Sequence, residues 1–130
     1  MKLKLVLSLS ALFFASSLFA TPQVGQAAPA FTLMDSKGQS HSLADFAGKT
    51  VVLEWSNHEC PFVVKHYSGN MQSLQKQFAT EEVVWLTVIS SAAGKQGHIS
   101  AAKADELTLS RNAMPDAVLF DETGVTGKAY

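Results

Sequence analysis

The sequence predicts an α/β domain of parallel strands joined by crossover helices, with an N-terminal β-hairpin in front. Three observations carry that expectation. Apolar, β-branched runs stand at 51–55, 82–90 and 116–120. Stretches of helical spacing lie between them, at about 61–77 and 100–110. The middle run, EVVWLTVIS, shows no polar alternation, as in a strand covered on both faces. Strand, helix, strand, helix, strand in that order makes parallel neighbours with right-handed crossovers.

The 130 residues suffice for one domain. A hydrophobic content of 47% with 16% charged residues fits a globular domain behind an apolar leader, and a net charge of −1 argues against nucleic acid or an acidic membrane surface as partner. Residues 1–20 read as a secretory signal peptide. Lys2 and Lys4 precede an acid-free apolar run, Ala15, Ser16 and Ser17 lie near its end, and Phe19-Ala20-Thr21-Pro22 offers a cleavage point. The run is short for a membrane span, which needs about 20 apolar residues. An uncleaved anchor is the alternative. The domain is then 21–130, in the periplasm or secreted, with the membrane met only during export.

In chain order, 31–34 and 39–41 flank Asp35-Ser36-Lys37-Gly38 and read as a hairpin. Ser42 caps a short helix that ends at Gly48, with Asp45 in the capping-box place. The first core strand, 51–55, is followed by Ser56-Asn57-His58-Glu59 and then Cys60-Pro61. From Phe62 the apolar side recurs through Val63, His66, Tyr67, Met71, Leu74 and Phe78, with a kink or restart expected at Ser68-Gly69-Asn70. The strand at 82–90 comes next, then a loop with Gly94 and Gly97. Ser100 caps a helix to about 110, and Arg111, the one arginine of the chain, stands at its end as a candidate cap of helix carbonyls. A third strand spans 116–120.

Cys60 is the chemical centre of this reading. Proline is favoured at the first helical position, so Pro61 places Cys60 at the N-cap of a helix fed by a buried strand. Unpaired N–H groups and the helix dipole favour an anion there, and a thiolate in that place is nucleophilic. A small buried hydrophobe is the bland alternative. An exported protein normally pairs its cysteines, so one alone is a reactive thiol or an intermolecular partner. Asn57, His58, Pro61 and Lys65 are the candidate supporting residues. Asn57 can bond the loop backbone, His58 can help hold a thiolate, Pro61 opens the helix, and Lys65 is either a nearby cation or a solvated one. His66 reads as a core or boundary residue. No cofactor is expected. A metal held by Cys60, His58 and His66 lacks the clustered spacing zinc sites use.

The words APAFTL, DF-GK-VVLEW, CPFV-KHY, VVWLTVISSA, KQG and GKAY together resemble the exported peroxiredoxin-like, or redoxin, branch of the thioredoxin-like fold, over nearly all of 28–130. The resemblance implies a thioredoxin-like (redoxin-type) fold, a thiol or disulfide substrate, and an external thiol reductant. Two departures qualify it. Thioredoxins carry C-x-x-C, and here Val63 holds the second place. Peroxiredoxins carry Pro and Thr seven and three residues before their cysteine, where this chain has Leu53 and Asn57. The pair Glu54-Trp55 before Cys60 matches the first cysteine of a thioredoxin. The resemblance therefore implies thiol–disulfide or peroxide-linked chemistry at a single cysteine, with a non-catalytic binding or redox-sensing module as the alternative.

Two registers compete for 116–120. In the favoured one it is a parallel edge strand beside 82–90, with 51–55 on the far side of 82–90, Met114–Pro115 trans, and GKAY opening a helix. The C-terminal strands of the family are then missing from this chain. In the rival register it pairs antiparallel with 51–55, and Met114–Pro115 is cis and faces Cys60.

Overall fold

The computed structural model describes residues 22–130; the leader read at 1–20 lies outside them. The hairpin is Thr32–Asp35 (β1) and Ser40–Ser42 (β2), followed by a 3-10 turn at Leu43–Phe46. Strand Thr50–Trp55 (β3) leads into helices Pro61–His66 (α1) and Asn70–Gln77 (α2). Strand Val83–Ile89 (β4), helix Ala101–Ser110 (α3), strand Ala117–Phe120 (β5) and a short helix Val125–Ala129 (α4) complete it. The five strands form one sheet in the order β2-β1-β5-β4-β3.

β4 pairs parallel with β3 on one side and with β5 on the other, Val118 lying opposite Thr87. No described peptide bond is cis. The parallel β4–β5 pairing, the trans Met114–Pro115 bond and the helix at 125–129 are as the favoured register has them. One part of it is corrected. β5 is not at the edge, because β1 pairs with it antiparallel through Met34 opposite Phe120 and Asp35 opposite Leu119. The outer backbone groups of β5 need partners, and the hairpin supplies them. Ser36 N–H also donates to the Val118 carbonyl at 3.0 Å. β3 and β2 are the edges, and β3 is paired on its β4 side alone among the described residues.

β4 is buried from Val84 to Ile89. Its alternation sends Val84, Leu86 and Val88 to one face, where they pack with Phe31, Ala117 and Leu119. Ile89 faces the other way, against Val118 and Ala104 of α3. Full burial of Leu86 and Leu119 stabilises by roughly 2 kcal/mol each.

The kink expected after α1 is present. Gly69 sits at φ 141, a conformation open to glycine, and α2 restarts behind it. Val63, Tyr67, Met71 and Leu74 of the stripe read through 62–78 are half-buried on both sides of that break, and the correction falls on its other members. Phe62, Phe78 and His66 are exposed, and the buried residue of α2 is Gln75, whose Oε1 accepts the Met114 N–H at 2.8 Å. The capping box of the 3-10 turn is formed as read, Ser42 and Asp45 exchanging bonds with each other's backbone.

Candidate functional site

β3 delivers the chain to the carboxyl end of the sheet, where ligands of open α/β sheets gather. Ser56 N–H extends the β3–β4 pairing by one bond to the Val88 carbonyl, 2.9 Å, and the chain then turns. Asn57 makes that turn. Its Oδ1 accepts the Glu59 N–H at 3.0 Å and its carbonyl accepts the Cys60 N–H at 3.0 Å. Asn side chains form such local turns because the amide reaches the backbone two residues on. Cys60 is the N-cap of α1, at φ −70 and ψ 124, and Pro61 opens the helix, as read from the sequence. The Cys60 carbonyl accepts the Val64 N–H, the first bond of the helix. The thiol is free and partly exposed, and no described residue hydrogen-bonds its sulfur.

Other elements hold this turn from two sides. Glu59 Oε2 accepts the Gly97 N–H at 2.8 Å, tying the turn to the loop after β4. Gly97 is buried at φ +82, and a Cβ there would lie 2.6 Å from the Asn57 side-chain carbon. Glycine is required both for the backbone conformation and for the close approach. On the other side, Arg111 Nη2 donates to the His58 carbonyl at 3.3 Å. The sequence expects Arg111 to cap its own helix; its side chain instead reaches the cysteine turn. The His58 ring lines a small cavity with Tyr67, Thr87, Ile99 and Arg111, where its buried Nδ1 has no hydrogen-bond partner.

Beneath the turn, Glu54 gathers three donors. Tyr67 O–H lies 2.7 Å from its Oε1, and Trp85 Nε1–H and Thr87 O–H lie 2.8 and 3.5 Å from its Oε2. Burial, then the bond to Glu54, pushes the Tyr67 hydroxyl well above its ordinary range, so it stays a donor at physiological pH. The Arg111 guanidinium lies 5.0 Å from the Tyr67 ring centroid, a cation–π distance. Lys65 is exposed on α1 and forms no ion pair among the described residues, and Pro61 is exposed beside Phe62.

The site thus brings together Cys60, Asn57, His58 and Pro61, and leaves Lys65 in solvent. Sequence reading missed Glu59, Gly97 and Tyr67, and used Glu54 only to set the register. Glu54 carried a usable signal, since an acid in a strand running into the core needs donors. Glu59 and Gly97 meet only through the fold.

A partly exposed thiol at a helix start, in a turn fixed on both sides, can act as a nucleophile toward sulfur or peroxide oxygen. The family model described as the AhpC/TSA family matches residues 24–130. Among solved structures, a hypothetical protein from Sinorhizobium meliloti 1021 is similar at 20% identity and TM-score 0.72, covering 85% of this chain and 60% of that one. An uncharacterized conserved protein from Geobacillus kaustophilus is similar at 25% identity and TM-score 0.70, covering 88% and 59%. A secreted Mycobacterium tuberculosis disulfide oxidoreductase shares the fold at 19% identity and TM-score 0.59, covering 77% and 66%. The chain spans about three fifths of the length of the first two. No curated protein matches the sequence.

Proposed function

The chain belongs to the AhpC/TSA family, and from that premise we propose that it is an exported thiol oxidoreductase that works through Cys60 alone. The observation that carries the reading is the free, partly exposed Cys60 at the N-cap of α1, directly past the carboxyl end of β3. The leader pattern at 1–20 supports export.

In the exchange reaction, the Cys60 thiolate attacks one sulfur of a substrate disulfide. A bond from Cys60 Sγ to that sulfur forms, the substrate S–S bond breaks, and the second sulfur leaves as a thiolate with the electron pair. An external thiolate then attacks the substrate sulfur of the mixed disulfide and releases Cys60. With a hydroperoxide, Sγ attacks the O–O bond, the alcohol leaves, and Cys60 becomes a sulfenic acid. Two external thiols return it to the thiol, yielding water and their own disulfide. Val63, in the place where a thioredoxin carries its second cysteine, makes the external thiol necessary in either case. Asn57 holds the turn, Pro61 starts the helix, and Lys65 adds positive charge one turn further along.

Val63 also favours a second reading, a redox-sensing or binding module that traps a partner without turnover. One experiment separates them. The chain is incubated with oxidised glutathione and excess reduced thiol, and turnover is followed with the Cys60→Ser variant as control. Repeated turnover lost in Cys60→Ser supports the enzyme. A stoichiometric Cys60 adduct without turnover supports the module, and no Cys60 adduct contradicts both.

A further inference from the structure

We propose that Arg111 is the positioning residue for Cys60, fixing the 57–60 turn through the His58 carbonyl while holding a positive charge beside it. The inference rests on the reading of Cys60 as the nucleophile. Arg111 ends α3, on the far side of β4 in sequence, yet it reaches both the turn before Cys60 and the end of the helix after it. Nη2 donates to the His58 carbonyl at 3.3 Å, two residues before Cys60. The guanidinium carbon lies over the ring of Tyr67, the C-cap of α1, 5.0 Å from its centroid. The Arg111 carbonyl accepts Gln72 Nε2 at 2.7 Å, and the same nitrogen donates to the Tyr67 carbonyl at 2.6 Å. One residue therefore joins the turn before α1, the end of α1 and the first turn of α2.

No carboxylate forms an ion pair with Arg111 among the described residues. The ion pairs among the described residues join Lys37 to Asp105, His41 to Asp35, His98 to Glu122 and Lys103 to Glu106. Arg111 is half-buried without a carboxylate partner. It bonds a carbonyl of the turn and lies over an aromatic ring, which places its positive charge at the turn. A planar fork can hold the carbonyl and lie on Tyr67 together, whereas a lysine ammonium is a point donor.

The test uses neutral and anionic reagents on Cys60 in the full chain, with near-ultraviolet circular dichroism and urea unfolding confirming that each variant is folded. Arg111→Met should slow reaction with the neutral disulfide 4,4′-dithiodipyridine by about tenfold, since small misplacements of a reacting group are costly. It should also lower the ratio of iodoacetate to iodoacetamide rates by roughly twofold to threefold, because a positive charge bonded to the backbone two residues before the thiol is removed. Arg111→Lys should restore the ratio and only part of the rate. A folded Arg111→Met with unchanged rate and ratio overturns the proposal, as does a slower rate with an unchanged ratio. If Arg111→Met does not fold, Arg111→Lys decides: a rate equal to the native one overturns the proposal, and a fall of about threefold with the ratio kept supports it. If native Cys60 reacts no faster than in the unfolded chain, the reading of Cys60 as nucleophile fails, and that outcome is distinct from a failure of Arg111.

Discussion

At residue scale, three positions define what the cysteine turn can do. Cys60 is the one thiol of the chain, so Cys60→Ser should abolish every mixed disulfide and sulfenic adduct, checked by intact mass after oxidised glutathione and after peroxide. Val63 follows one helical turn later, close enough for a disulfide when both residues are cysteine. Val63→Cys should form an intramolecular pair under air or oxidised glutathione, read as a loss of 2 Da without dimer. Two thiols that persist would contradict the thioredoxin-like register at this helix. Gly97 fixes the wall opposite. Gly97→Ala puts a Cβ against Asn57 at a φ of +82, and should cost about 2 kcal/mol or more in urea unfolding. The Cys60 reaction rate should fall with it, because the Glu59–Gly97 bond shares that backbone.

At element scale, the hairpin is held by carboxylates, and that makes its docking pH-dependent. Asp35 is buried in β1 and accepts the Lys37 and Gln39 N–H groups and the His41 ring, each at 2.8 Å. Burial works to raise its pKa, but the His41 bond and the two backbone bonds outweigh it and hold the group below its ordinary 3.8. Asp105 of α3 is also lowered, first by the bond from Lys37 and then by that from Ser36. Both carboxyls are harder to protonate in the fold than in the unfolded chain. Their stabilisation is therefore complete above about pH 5 and is lost as pH falls through the depressed folded values. The urea midpoint should drop below about pH 4, and Asp35→Asn should flatten that drop while costing about 1–2 kcal/mol at neutral pH. An unchanged acid limb in Asp35→Asn would contradict this account of the hairpin. The hairpin itself was legible in its turn residues, as were β3, β4 and β5 in their apolar runs and α1 in Cys60-Pro61. The pairing of β1 with β5 was not, because it joins residues more than 80 positions apart and leaves no periodic mark. The exposure of Phe62, His66 and Phe78 was not legible either, because they border the half-buried side of Val63, Tyr67, Met71 and Leu74, where spacing alone leaves burial undecided. The Arg111 contact was illegible for a similar reason. A lone arginine at a helix end satisfies local capping rules, and only the packing of α3 beside the cysteine turn gives it another partner.

For the whole molecule, the sheet divides into a sealed middle and an open margin. Leu86 and Leu119 have no exposure, so Leu86→Ala or Leu119→Ala should cost about 2–5 kcal/mol in urea unfolding. Phe62, 73% exposed beside the cysteine, should change stability by less than about 0.5 kcal/mol when made alanine. Equal costs at the two kinds of site would contradict the packing described. The contrast explains how the chain combines a fixed scaffold with a reachable thiol: β4 and β5 carry the core, while the cysteine turn lies at the carboxyl end of the margin strand β3. The central claim is that folding makes Cys60 a better nucleophile than an ordinary thiol. The direct measurement is its alkylation rate by iodoacetamide at pH 7, in the native chain and in the same chain unfolded by urea, corrected for the reagent's rate with free cysteine in each solvent. The native rate should be roughly ten times the unfolded one or more, as thiolates at helix starts react. A native rate equal to or below the unfolded one would show Cys60 to be a packed side chain and would contradict the account.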